Sequence, residues 1–395
     1  MKLLIHIWMN EYKRIFSDSG AIMLFLIAIA IYPIIYALAY NNEQAKEVPI
    51  AMVDENQSAL SRQAIRMIDA TDEVRVAYKF SNLERAEQFF GEGKVFGLMV
   101  IPKDFERSIL KSEPTHIAVY ADASYMILYK QVVSSATYAM GTMGAGIEIK
   151  REIAKGQNTE LAFSERDPLP IEPYALFNPK GGYATYAMPA VLLLILQQTL
   201  LLGIGLLGGT IKEKGGSHFL LETGLKRGGT IPIVLGKGLA YFSIYILNTV
   251  FVLVVVFRLF GFPMRSDYFS VFIFVIPFLW AVIFMGMAIS ALFKHRESSM
   301  MILLFTSIPF VFLSGFSWPK LAMPLWLQWL SELIPSSPAI HGFLALSQKG
   351  APFSDVMPQW HHLWILCIVF FLAALGLLKL QLIKVSRKSD LESKI

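Results

Sequence analysis

"GTIKEKGGSHFLLETGLKRGGTIPIVLGK", Gly209 to Lys237, carries seven charged residues and two glycine pairs. Nothing from Gly181 to Ile211 is charged, and nothing from Gly238 to Phe257. A membrane-crossing helix needs about 20 mostly apolar residues, and both flanks reach that length. The stretch therefore reads as a polar connection between two spans, and its charge bears on how the chain is threaded.

Working outward, the composition agrees. Of 395 residues, 55% are hydrophobic and 16% charged, where a soluble domain carries about 25% charged residues. The net charge of +5 is no nucleic-acid signal, because the basic residues lie in short clusters beside apolar runs instead of in a separate basic arm. The single cysteine, Cys367, excludes an intrachain disulfide, a CxxC pair or a cysteine zinc cluster.

Uncharged runs occupy Ile22–Tyr40, Ala187–Leu207, Leu239–Phe257, Phe269–Phe293 and Met300–Phe316. A sixth, Leu363–Leu378, is extended by Val356–Trp360 and by a snorkelling Lys379. The expected fold is a polytopic α-helical membrane protein of six transmembrane helices, with an external α/β domain inserted between helices 1 and 2. The spans are placed at 19–40, 183–208, 238–258, 269–293, 299–316 and 361–383.

Orientation follows from lysine and arginine in short loops. The clusters are Lys2, Lys13 and Arg14; Lys212, Lys214, Lys226 and Arg227; Lys294 and Arg296 in "FKHRESS"; and Lys384, Arg387 and Lys388. Six spans put all four on one side, so both termini, the loop 209–237 and the tail 384–395 are expected to be cytoplasmic. The first run is longer than the ~7–15-residue core of a cleaved signal, so "ALA" at Ala37–Ala39 is read as part of an uncleaved anchor. Before it, residues 1–18 place Leu4, Trp8, Tyr12 and Ile15 on one stripe, as in a helix lying in the cytoplasmic interface.

Residues 41–182 are too patterned for a linker. "VPIAMVD" (Val48–Asp54), "EVRVAYKF" (Glu73–Phe80), "KVFGLMVIP" (Lys94–Pro102) and "THIAVYAD" (Thr115–Asp122) read as strands. Ser58–Ala70, Asn82–Gly91 and Lys103–Lys111 read as intervening helices, capped at Ser58 and opened by Asn82, and Tyr125–Ile153 as one long helix. This alternation predicts a small domain with a largely parallel or mixed sheet, periplasmic by the charge argument. Residues 317–360, also external, contain "WPKLAMPLWLQWLSELIPSSPAIHGFLAL", which predicts short helices dipping into the outer interface.

No catalytic motif emerges. "LGKG" (Leu235–Gly238) lacks the first glycine and the hydroxyl residue of a phosphate loop. His361 and His362 are neighbours on a helix and do not share a face, so no metal site is expected. Ion-coupled transporters need ionisable groups within the membrane. The interior runs offer only neutral polar residues, of which Gln197, Gln198, Asn248, Thr306 and Ser307 are the candidates for a substrate path. Their alternative use is hydrogen bonding between helices.

Three stretches then resemble the ABC-2-type permeases, the membrane subunits of bacterial ABC exporters, in the subgroup with a large external domain after the first span. "VPIAMVDENQSALSRQAIRMID" (Val48–Asp69) resembles that subgroup's V-D-x-[ND]-x-S-x-x-S-R opening. "GKVFGLMVIPKDFERSIL" (Gly93–Leu110) is similar to its second signature, and "FLSGFSWPKLAMPLWLQWLSELIPSSP" (Phe312–Pro338) to the segment between its last spans. The resemblance implies that the loop 209–237 is a coupling element seated on an ATPase subunit. Its candidate contacts are Lys212, Glu213, Lys214, Gly215, His218, Glu222, Lys226 and Arg227. Glu213, Gly215 and the pair Gly236–Lys237 fit the family pattern; Gly216 and His218 depart from it, standing where threonine and an acidic residue are common.

The expectation is a non-enzymatic permease subunit in a bacterial inner membrane, moving a hydrophobic or amphipathic substrate outward. It binds no cofactor itself; ATP and Mg lie on partner ABC ATPase subunits. Its other expected partners are a second permease copy or a sister permease, a periplasmic adaptor and membrane lipids. The rival is a non-transporting receptor or scaffold whose external domain binds a ligand or partner.

Overall fold

A computed structural model describes residues 2–166, 174–213, 229–293 and 295–392. The chain forms two compact units, one of 1–43 with 175–395 and one of 44–174.

The first unit is helical. A first helix, α1 (Lys2–Ser17), precedes six helices that, among the described residues, are long and apolar enough to cross a membrane. These are TM1 (Ser19–Ala39), TM2 (Tyr183–Ile211), TM3 (Ile231–Leu259), TM4 (Tyr268–Leu292), TM5 (Arg296–Leu313) and TM6 (Phe353–Lys384). TM2 is the axis and is largely buried, whereas TM5 is peripheral and largely exposed. Phe25, Tyr245, Phe274, Phe278 and Phe343 fill the core around it.

Several bounds differ from those read in the sequence. The TM2 helix runs on to Glu213, and TM3 already begins at Ile231. Both ends of the loop 209–237 are therefore helical. Gly209 explains the first: a Cβ there would lie 2.5 Å from the Cα of Arg296, so the bare backbone packs against TM5 and holds the last turn. Pro232 explains the second, since proline suits a helix's first turn. TM6 starts at Phe353, absorbing residues 353–360, and the Trp360 indole donates to the Ile273 carbonyl of TM4 (3.1 Å). Two short helices, Leu325–Glu332 and Ser336–Leu344, lie between TM5 and TM6.

Three spans depart from regular helix. TM1 has a wide turn at Met23–Ile27 and TM3 another at Phe251–Val256. TM5 breaks at Thr306, between helices Arg296–Phe305 and Ser307–Leu313. Pro309 has no N–H for the Phe305 carbonyl, so the α-helical ladder is interrupted there.

The second unit is an α/β layer structure. Strands β1 (Val48–Asp54), β2 (Val74–Phe80), β3 (Gly97–Ile101) and β4 (Ala118–Ala121) form one sheet of order β2-β1-β3-β4. The first three strands run parallel, and β4 pairs antiparallel with β3. Alternation along β1 feeds two cores. Ile50 and Met52 face Ile65, Ile68 and Met99, while Ala51 and Val53 face Ala86 and Leu98. Helices α2 (Ala59–Asp69) and α5 (Met126–Ala154) contribute to the first core, and α3 (Leu83–Gly91) to the second. Ser58 caps α2 through a capping box with Ser61, whereas Asn82 makes no side-chain cap on α3. A short α4 (Phe105–Leu110) follows β3.

Candidate functional site: the basic end of the bundle

Two charge clusters tie the helices together at the end where α1 meets TM3. On α1, Ile7, Glu11 and Ile15 are all buried, so an acid lies on the apolar stripe. The close approach depends on Gly236. A Cβ there would lie 2.9 Å from Ile7 Cγ2 and 3.1 Å from the Leu4 carbonyl oxygen. Glu11, only 1% exposed, needs partners to be tolerated. Its Oε1 accepts from the Tyr241 hydroxyl, and its Oε2 lies 3.7 Å from Lys237 Nζ and 3.4 Å from Arg14 Nη1. Helix α1 is thereby fastened to the first turns of TM3.

The second cluster centres on Asp18 and Arg296. Asp18 caps TM1, accepting from the amides of Gly20 (3.0 Å) and Ala21 (3.1 Å). The Arg296 guanidinium grips the same carboxylate with both Nη atoms, at 2.7 and 3.1 Å. Arg296 Nη1 also donates to Thr210 Oγ1 (3.3 Å), and the Arg296 amide donates to Glu213 Oε1 (2.8 Å). His295 Nδ1 stands 3.6 Å from the same Glu213 oxygen. Burial alone pushes the Asp18 carboxyl up. The Arg296 hydrogen bond, the Ala21 amide, the Arg296 charge and the Gly20 amide together outweigh it and hold the group below its ordinary value. One arginine thus joins the start of TM1, the end of TM2 and the start of TM5.

Of the residues singled out for coupling, Glu213 sits in this cluster with an intramolecular partner. Lys212 lies in the last turn of the TM2 helix. Lys214, Gly215, His218, Glu222, Lys226 and Arg227 fall outside the described residues.

The polar residues inside the spans are engaged with backbone and neighbouring side chains. Gln197 donates to Ser336 Oγ (3.1 Å) and accepts from the Ser336 amide (2.9 Å), capping the helix Ser336–Leu344. Gln198 donates to the Leu303 carbonyl (2.6 Å), just before the break in TM5. Asn248 donates to the Phe25 carbonyl (2.8 Å), within the wide turn of TM1. Thr306 Oγ1 donates to Leu303, and Ser307 opens the second half of TM5 without converging on the others. The first three therefore stitch irregular backbone, and the five do not form a common site.

Sequence reasoning passed over Glu11 and Asp18, and it placed Lys237 only in the family pattern and Arg296 only in a basic cluster. Glu11 had a signal, an acid three residues from Trp8 and four from Ile15 on an otherwise apolar stripe. Asp18 before a long apolar run was readable as a cap, though its arginine partner was not.

Comparison with known proteins follows the same architecture. A family model described as "ABC-2 family transporter protein" matches residues 19–375. The chain is 23% identical to the linearmycin resistance permease protein LnrN of Bacillus subtilis (strain 168), a match covering 96% of this chain and all of that protein. It is 20% identical to ABC transporter G family member 20 of Dictyostelium discoideum over 88% of this chain and 47% of that protein.

Proposed function

Because this chain belongs to the ABC-2 transporter family and is a multi-pass membrane protein, we propose that it is the permease subunit of an ABC exporter. In this reading the basic end is cytoplasmic, and the loop between TM2 and TM3 docks on a separate ATPase chain, which holds the ATP and Mg. The observation that carries the proposal is how the loop's two ends are anchored. Glu213, at the end of TM2, is bonded to the start of TM5, and Lys237, near the start of TM3, is paired with α1. Arg296 extends the first connection to TM1. A push on the loop would reach several spans through charge-assisted bonds.

Substrate and direction follow by the same reasoning. Gln197, Gln198 and Asn248 are spent on internal bonds, which favours a hydrophobic or amphipathic cargo. Resemblance to a protein named a resistance permease favours outward movement. The exposed faces of TM1 and TM5, with Met23, Ile27, Met301 and Phe305, offer surface for a second permease copy or sister permease. The α/β unit would be periplasmic, and the exposed Tyr120, Tyr125 and Met126 beside its edge strand suit an adaptor.

Co-purification tests the docking. Glu222→Lys should lower recovery of the ATPase with the permease about tenfold, equivalent to ~1.4 kcal/mol, while leaving the yield of permease near normal. Unchanged recovery with unchanged transport would reduce the loop to a solvated connection.

A further inference from the structure

The basic end also holds a half-open cavity of about 700 Å³ between the ends of TM2, TM3, TM4 and TM6. That is within the ~300–1,000 Å³ range of built ligand sites. Its wall includes the apolar side chains of Ile204, Met287, Ala374 and Leu378, and also Lys237, Tyr241 and Lys384. Lys237 is the telling residue. Its side chain is 13% exposed, and its ion pair with Glu11, at 3.7 Å, is longer than a hydrogen bond. The Glu11 carboxylate faces both Lys237 and Arg14 and also accepts from Tyr241. The one carboxylate is thus shared among three partners, so Lys237, which with Tyr241 is the member of this group that lines the cavity, is not matched by an acid of its own. Among the described residues the wall holds one carboxylate, Glu213, and its Oε1 is taken by the Arg296 amide.

We propose that this cavity is a site for one anionic phospholipid of the adjacent leaflet. The phosphate would lie by Lys237 and Lys384, and acyl chain would run along Ile204, Met287 and Leu378. Charge complementarity selects the headgroup and the apolar wall selects a lipid over a free anion. Basic pockets between membrane helices hold anionic headgroups for the same reason. The site is made by helix ends within one chain, apart from the exposed faces of TM1 and TM5. It does not rest on the transport reading.

Native mass spectrometry of the purified full chain, titrated with phosphatidylglycerol or phosphatidylethanolamine of matched chains, tests this. One phosphatidylglycerol should be retained, about tenfold more tightly than phosphatidylethanolamine. Lys384→Gln, at an exposed position, should weaken that retention severalfold, and Lys237→Gln more. Ala374→Phe should also weaken it by filling cavity space with every charge in place. Inorganic phosphate in millimolar excess should not displace the lipid. Equal retention of the two lipids would overturn the proposal, and that comparison needs only the unaltered chain. Retention unaffected by Lys384→Gln, or displacement by inorganic phosphate, which would mark a free-anion site, would overturn it as well.

Discussion

Asp18 serves two structures with one carboxylate, capping TM1 and binding Arg296 in a fork. The two roles separate by substitution. Asp18→Asn keeps a capping oxygen and loses the ion pair. It should cost about 1–2 kcal/mol, below the ~3–5 of a fully buried pair because Arg296 is 33% exposed. Asp18→Ala should cost about 1 kcal/mol more by losing the cap. Because the native Asp18 carboxyl titrates below its ordinary value, its contribution is complete above the unfolded value of ~3.9. It is lost only as pH falls through the lower native value. Thermal unfolding in detergent across acidic pH should show a gap between native chain and Asp18→Asn that is constant above about pH 5 and closes below pH 4. A gap already closed at neutral pH would mean that the pair contributes nothing. At this scale the sequence was only partly legible. Glu11 interrupts its apolar stripe, a signal that the sequence reading passed over, while Asp18 and Arg296 lie 278 positions apart, and nothing local in either neighbourhood names the other.

Among the elements, TM2 shows how packing sets a helix's end. The run of uncharged residues was readable because lipid requires it, yet its last turn rests on Gly209 lying against the backbone of TM5. Two glycine substitutions should therefore behave oppositely. Gly209→Val must push TM2 from TM5 and should destabilise by about 1–3 kcal/mol. Gly141→Ala, in α5 with nothing within 4 Å of its added Cβ, should be neutral or stabilise by up to ~1 kcal/mol. Thermal unfolding of the two variants decides this, and similar destabilisation by both would contradict the assigned contact. The wide turns of TM1 and TM3 were not legible, since Phe25 and its neighbours look like any apolar helix. The carbonyl bonded by Asn248 becomes apparent only when TM1 and TM3 meet. The strands of the α/β unit were legible from their β-branched residues, but β3 and β4 came out shorter because flanking residues bond singly outside the ladder. The Phe96 amide, for instance, donates to Pro49.

For the whole molecule, threading of the membrane and coupling to the ATPase are the claims at stake. In a Cys367→Ser background, an impermeant thiol reagent added to intact cells should label Tyr120→Cys and spare Lys226→Cys. Labelling of Lys226→Cys would invert the assigned sides. Apolar runs made the six candidate spans readable, because lipid sets the length and composition of each. The anchoring of the loop's ends was not readable, because it depends on contacts among α1, TM1, TM2, TM3 and TM5. Coupling through those contacts is the central claim, and proteoliposomes containing the permease and its ATPase measure it most directly. Arg296→Ala and Glu11→Gln leave residues 214–228 intact while cutting the links from the loop's ends to TM1 and α1. Each should keep ATPase recovery and hydrolysis within about twofold and lower transport about tenfold, ~1.4 kcal/mol of lost coupling. Transport that stays at the level of the unaltered chain, or hydrolysis that falls in step with it, would contradict the account.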